Sequence, residues 1–220
     1  MRFALTKQHL DFYYKNHFIE CEELISISQL QSLSVAIQDL LAKRLKINSK
    51  TLQYADVKQL FIAGRDLWRD SKAIQSLVFS SRFAEISAYL TKETSIRLAY
   101  DQVFYFHPCS SKHPFFKDTH SLNQLCCLQK LTCALLIPIP FAFENIKSPG
   151  NGTFFSPQLS LSLLPVTPHH ASFFLMMTYS GDKTLYTFEA KDLHTHHLKK
   201  LGYVFGDRLK HSTHPLVFPI

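Results

Sequence analysis

Ten of the twelve histidines lie from His107 onward, and three of them fall in the run Asp192-Leu193-His194-Thr195-His196-His197. Imidazole is the commonest metal ligand among side chains and the one that titrates near neutrality, so this crowding points to a metal or acid–base site in the second half of the chain. Asp192, His194 and His196 alternate. An extended backbone would set them on one face, with neighbours close enough to share an ion and the outer two about 13 Å apart. His197 joins them if a short helix starts here and ends at Gly202. The same residues also fit a plain helix start capped by Asp192 or Thr195. Asp207, His211 and His214 form a second group that could bring a distal ligand to the barrel mouth, with His214 held extended before Pro215, but a surface loop is the simpler account. His107 and His113 each precede a proline, where turn geometry is the simpler explanation, and His169-His170 follows Pro168 in an expected loop.

Other chemistries find little footing. The chain has no Gly-X-Ser-X-Gly elbow and no glycine-rich phosphate loop among its six glycines. Its five cysteines are odd in number and lack Cys-X-X-Cys spacing; Cys126 and Cys127 are adjacent in an apolar segment, and the set suits buried thiols in a reducing compartment. Net charge is +7, but residues 1–100 carry 14 basic and 10 acidic groups and residues 101–220 carry 10 and 7. Nucleic-acid binders gather charge into a stripe, and only Lys43-Arg44-Leu45-Lys46 is a run, so no nucleic-acid partner is expected. The start has no apolar core of signal-peptide length. The longest apolar stretch, Leu131 to Phe143, contains Pro138 and Pro140 and is too short to span a bilayer. A soluble, cytoplasmic protein is expected.

The elements that must position these residues divide near the middle. Thr6 caps an expected helix through His9, Leu10, Phe12 and Tyr13, and Phe18-Ile19 reads as a short strand. A second helix follows Ser28, with a stripe at Leu30, Leu33, Ile37, Leu40 and Leu41. Two more run from Arg69 to Ser80 and Arg82 to Leu90, and Trp68 reads as a core anchor. From about Thr94 the period changes to that of strands: Ile96–Tyr100, Gln102–Phe106, Lys130–Pro138, Leu159–Leu164, Ser172–Tyr179 and Thr184–Glu189, with turn signals at Pro149–Gly152 and Ser180–Lys183. Nineteen Phe and nine Tyr suit such an interior. Helices first and strands afterwards is an α+β order: a helical N-terminal layer, residues 1–93, on a β-rich jelly-roll core, residues 94–220, in one compact domain.

Three stretches carry a resemblance. Leu5-Thr6-Lys7-Gln8-His9-Leu10-Asp11-Phe12-Tyr13-Tyr14-Lys15-Asn16-His17-Phe18-Ile19 resembles the opening helix and strand of phytanoyl-CoA dioxygenase-like proteins. Ile96-Arg97-Leu98-Ala99-Tyr100-Asp101-Gln102-Val103-Phe104-Tyr105 is similar to their "D-Q" strand, and Asn151-Gly152-Thr153 to a later turn. The resemblance spans residues 5–155. It implies a double-stranded β-helix (a cupin-like jelly roll) that binds Fe(II) and 2-oxoglutarate and oxygenates a small molecule. The family's metal site is a His-X-Asp pair plus a distant His, the open facial triad of non-haem iron. Here the order is reversed in Asp118-Thr119-His120, and His196 or His211 would be the third ligand. The only forward triplet, His9-Leu10-Asp11, lies in a helix, where the two side chains diverge by about 200°. The family's strand Lys is absent, and no Arg follows His211 to hold the oxoacid. Two other expectations stand beside the oxygenase: a non-catalytic jelly-roll pocket for a small ligand or a partner, and a structural zinc site of Asp192, His194 and His196 or His197.

Overall fold

The computed structural model describes residues 5–106, 114–117, 119–141, 150–165 and 172–219. Local chemistry starts and stops the helices. Thr6 and His9 form a reciprocal capping box at the start of α1 (Lys7–Asn16), and His17 ends it in the left-handed region. Ser26 and Gln29 do the same for α2 (Ile27–Leu45), two residues earlier than the Ser28 expected from sequence. Its stripe of Leu30, Leu33, Ile37, Leu40 and Leu41 is buried as the spacing required. α3 (Val57–Ala63), α4 (Lys72–Val78) and α5 (Ser81–Thr91) complete the layer.

Six strands form one antiparallel sheet in the order β1-β4-β3-β5-β2-β6. They are β1 (Phe18–Ile25), β2 (Ile96–Phe106), β3 (Leu128–Pro140), β4 (Gly150–Phe155), β5 (Ser172–Tyr186) and β6 (Leu216–Phe218). The alternation of side chains divides the interior in two. Val103 and Tyr105 of β2, Leu135 and Ile137 of β3, and Leu175 and Met177 of β5 pack under the helices. Tyr100, Phe104 and Phe106, Ala134 and Leu136, and Phe174 and Met176 face the other way. A register shift between Leu98 and Tyr100 keeps both halves of β2 in this pattern. That second face is covered by irregular chain, through Phe116, Leu122, Leu161, Leu198, Tyr203 and Leu209. Burial of each such side chain is worth roughly 1.5–3 kcal/mol. The result is the helical layer on a curled antiparallel sheet, the jelly-roll class expected from the sequence.

Three segments differ from expectation. Residues 96–106 are one strand, not two. The Ser180–Lys183 turn signal lies inside β5, where Asp182 bonds Ser95 and Arg97 and keeps the chain extended. Leu161–Leu163, within the expected strand at 159–164, is a 3-10 turn whose Leu161, with Leu159 and Leu164 beside it, caps the sheet's second face. Among the described residues no helix is long and apolar enough to cross a membrane.

Candidate functional site

Under the second face lies a cavity of about 650 Å³. Its apolar wall is Phe61, Phe115, Leu122, Leu125 and Met176, and its polar wall is Arg65, Tyr100, Gln102, Cys126 and Asp192, with Lys58 and Lys191 also lining it. Most of the polar wall hangs on β2 and the segment beside it. Gly64 O accepts from Val103 N at 2.8 Å, and Asp66 N donates to Asp101 O at 2.9 Å. These two bonds flank Arg65 and Gln102, which face each other as an isolated antiparallel bridge. In a pair flanked in this way the side chains stand closest, with Cβ atoms about 4.5–5.5 Å apart. Gly64 is required for the approach, because a Cβ there would lie 2.7 Å from Val103 O.

The turn that follows is held from beneath. Arg44 of α2 donates to Ala63 O at 2.7 Å, Arg65 O at 2.6 Å and Asp66 O at 3.1 Å. Asp101, fully buried, accepts from Leu67 N and Trp68 N at 3.0 Å each. Burial, then the nearby Asp66, pushes the Asp101 carboxyl up to about 7 against the pull of those two N–H groups. Asp66 goes the other way. Burial opposes its charge, but a 3.2 Å contact with His197 and the guanidinium groups of Arg69 and Arg65 hold it below the usual carboxylate range.

Arg65 is only 8% exposed. Its guanidinium lies 3.6 Å from the centre of the Tyr100 ring, and Nη2 is 3.4 Å from Asp192 Oδ1. Burial works against its charge, and the fields of Tyr100, Asp192, Cys126 and Asp66 hold it firmly protonated. Asp192 also accepts from Cys127 N at 2.9 Å and His194 N at 2.8 Å. Burial opposes its ionisation too, and Arg65 with these N–H groups keeps it an anion. The Cys126 and Cys127 sulfurs and an Asp192 carboxylate oxygen all lie within 4.8 Å of one another. Burial opposes a Cys126 thiolate, but the Cys127 hydrogen bond and Arg65 bring it below the usual thiol range, while Cys126 and burial push Cys127 far above it.

The histidines singled out from sequence are placed as follows. His120 is half-buried, with Nε2 2.9 Å from Lys191 Nζ on the cavity lining. His196 is exposed against the rings of Phe188 and Phe205. His211 is exposed near the end of the chain, its Nδ1 3.5 Å from Leu216 N. Asp118, His107, His113 and His169-His170 lie outside the described residues. His194 is buried on Phe61 and His197, and burial, then Arg65, pushes its ring down to about 3, so it is neutral. His214 is fully buried and bonded to Tyr203 and Thr213.

Among the described residues, Cys126, Cys127 and Asp192 are the one group of three or more metal-ligating side chains within reach of a common ion. This donor set does not fit a His/carboxylate facial triad. Two donors are thiols, and the carboxylate already accepts from a guanidinium and two backbone N–H groups. A divalent ion on this set would also face the Arg65 charge, which lies 3.4 Å from the same carboxylate. Arg65 and Gln102 were not recognised as a pair from sequence, because 37 residues separate them and only Gly64 marks the close approach.

No protein-family model matches the sequence, and no curated protein matches it. Solved structures do. The chain is similar to the non-heme alpha ketoglutarate dependent carbocyclase SnoK from nogalamycin biosynthesis, with TM-score 0.68, 13% identity and 96% of each chain covered. It is similar to the epimerase SnoN, solved with Fe3+, alpha ketoglutarate and nogalamycin RO, with TM-score 0.63 and 12% identity over 96% of this chain and 98% of that one. CT296 from Chlamydia trachomatis matches with TM-score 0.54 and 15% identity over 82% of this chain and 99% of that one. At these identities the likeness is one of fold: the chain shares a jelly-roll architecture with these structures.

Proposed function

We propose that this chain uses the oxygenase jelly roll as a pocket for a small molecule and works without an iron centre. The observation that carries the reading is Arg65. A side-chain cation, buried against Tyr100 and paired with Asp192, already balances the acidic and thiol groups of the pocket wall. The cavity beside it sets a wall of Phe, Leu and Met side chains against convergent polar and charged groups, a make-up that suits a ligand site. The test is elemental analysis after anaerobic incubation with Fe(II) and 2-oxoglutarate, followed by exposure to oxygen. No retained iron and no succinate are expected; one equivalent of iron with succinate formed would overturn the reading.

The fold likeness over 96% of the chain favours a second reading. In it the chain is a phytanoyl-CoA dioxygenase-like enzyme that holds Fe(II) on Asp118 and His120 with His196 or His211, uses 2-oxoglutarate as co-substrate and oxygenates a small molecule. His120 beside the cavity-lining Lys191 supports it. The same iron and succinate measurement decides between the two.

A further inference from the structure

We infer that the pocket takes an apolar molecule with a single carboxylate, its tail inside and its charged end at the mouth, a deepening that rests on the ligand-pocket reading above. The charges of the lining motivate it. Five charged residues line the cavity: Asp56, Lys58, Arg65, Lys191 and Asp192. Arg65 and Asp192 neutralise each other in the interior, 3.4 Å apart and each less than a tenth exposed. Asp56 caps α3, accepting from Gln59 N at 2.9 Å. The two lysines are exposed, and among the described residues neither is paired with a carboxylate. The lining therefore carries one more cation than anion, and that excess sits where solvent and ligand can reach it.

The same two segments join the charge to the apolar wall. Val57, Lys58 and Phe61 all line the cavity, with Phe61 three and four residues after the other two and so on one face of α3. Val57 and Lys58 are exposed, whereas Phe61 is half-buried and reaches inward to the rings of Phe104 and Phe115, with centres 5.6 and 5.8 Å away. The other segment repeats the gradient. Lys191 and Leu193 are exposed, and Asp192 between them is buried. Lys191 Nζ lies 2.9 Å from His120 Nε2. An ammonium only donates, so the ring nitrogen accepts, and two of the three Lys191 donors remain.

A molecule that follows this gradient is an amphiphile. Its tail lies along Phe61, Phe115, Leu125 and Met176, and its head stays at the lysines, still partly hydrated, where a carboxylate keeps most of its solvation. A neutral head would make no use of the excess charge, a cationic head would meet it as a like charge, and a dianion would exceed it. The tail then supplies affinity and the lysines supply the choice of head group.

The chain has three methionines. Met176 lines the cavity and Met177 lies on the opposite face of the sheet, so methyl-13C-methionine NMR reports occupancy with an internal control. The probes are octanoate, octanamide, which has the same tail and no charge, and butanoate, which keeps the charge and loses four methylenes. Octanoate is expected to shift the Met176 methyl and leave Met177 in place. In low salt it should saturate at about a fivefold lower concentration than octanamide, the worth of two exposed ion pairs, and at more than tenfold lower concentration than butanoate. In the double variant Lys58→Gln, Lys191→Gln the octanoate and octanamide affinities should converge. Octanamide or butanoate binding as tightly as octanoate, or a preference for octanoate that survives the double variant, would overturn the assignment and leave the pocket reading standing. If neither octanoate nor octanamide moves Met176 at millimolar concentration, the pocket reading falls as well.

Discussion

Replacing Arg65 with methionine removes the charge and keeps much of the stem. In the native chain the guanidinium stands 3.4 Å from the Asp192 carboxylate, and both side chains are less than a tenth exposed. At an effective dielectric of about 20 this separation corresponds to about 5 kcal/mol of attraction. Breaking a buried pair from one side usually costs about 3–5 kcal/mol, because the remaining charge is stranded. Asp192 keeps its bonds from Cys127 N and His194 N, which places Arg65→Met near the lower end, at about 3 kcal/mol. For a domain of this size that is a fall in Tm of about 6–12 °C. Asp192→Leu should cost more, since it strands the guanidinium and both N–H groups together. Urea unfolding followed by the fluorescence of the single tryptophan, Trp68, measures both. The pH dependence carries the sign. Arg65 helps hold Asp192 below its unfolded value, so its contribution is present above about pH 4 and is lost as pH falls through the folded value. The gap between wild type and Arg65→Met should therefore close in acid. An Arg65→Met protein within 1 kcal/mol of wild type at pH 7, or a gap that widens in acid, would refute a desolvated, paired guanidinium.

Three further outcomes are expected. Asp101 is raised to about 7 against an ordinary 3.8, so the folded state holds a proton that the unfolded state has released. Stability should fall by up to a few kcal/mol as pH rises from about 4 to about 7 and then level off. In Asp101→Asn this slope, read from urea midpoints, should vanish; an unchanged slope would place the titration elsewhere. Gly64→Ala puts a methyl 2.7 Å from Val103 O and should cost about 1–3 kcal/mol while weakening ligand binding, and a neutral variant would show that the bridge is not as close as described. Among the described cysteines, Cys126 should be alkylated first by iodoacetamide at pH 7. It lines the cavity and is held below the usual thiol range against burial by Cys127 and Arg65, whereas burial pushes Cys21 and Cys133 up to about 12. Peptide mapping that finds Cys21 or Cys133 modified sooner would contradict this.

Local chemistry was legible in the sequence, and pairing at a distance was not. The cap at Thr6, the stripe of α2 and the strand character of β2 each depend on residues a few positions apart, so spacing alone reveals them, although it put the start of α2 at Ser28 instead of Ser26. The Ser180–Lys183 tetrad carries a turn signal, yet Asp182 is tied to Ser95 and Arg97, some 85 residues earlier, and the strand runs on. Residues 159–164 read as a strand by their apolar content, but Leu159, Leu161 and Leu164 cover the sheet's second face from in and around a 3-10 turn. The candidate site shows the same division. Asp192 stood out by its company of histidines, although its partners proved to be Arg65 and two backbone N–H groups. Arg65 lies in the helical half and reaches the cavity only because Gly64 lets its backbone dock on β2. Gln102 belongs by sequence to the family-like strand, and its unpaired oxygen becomes visible only when Phe61 and Val103 are in place.

The most direct test of an iron-free pocket uses Mn(II) as a paramagnetic stand-in for Fe(II). Titrated into the protein with 2-oxoglutarate under argon, Mn(II) should keep its full free-ion electron paramagnetic resonance signal up to a stoichiometric excess of protein. A stoichiometric loss of that signal, abolished in His120→Ala, would contradict the account and establish a metal site at His120.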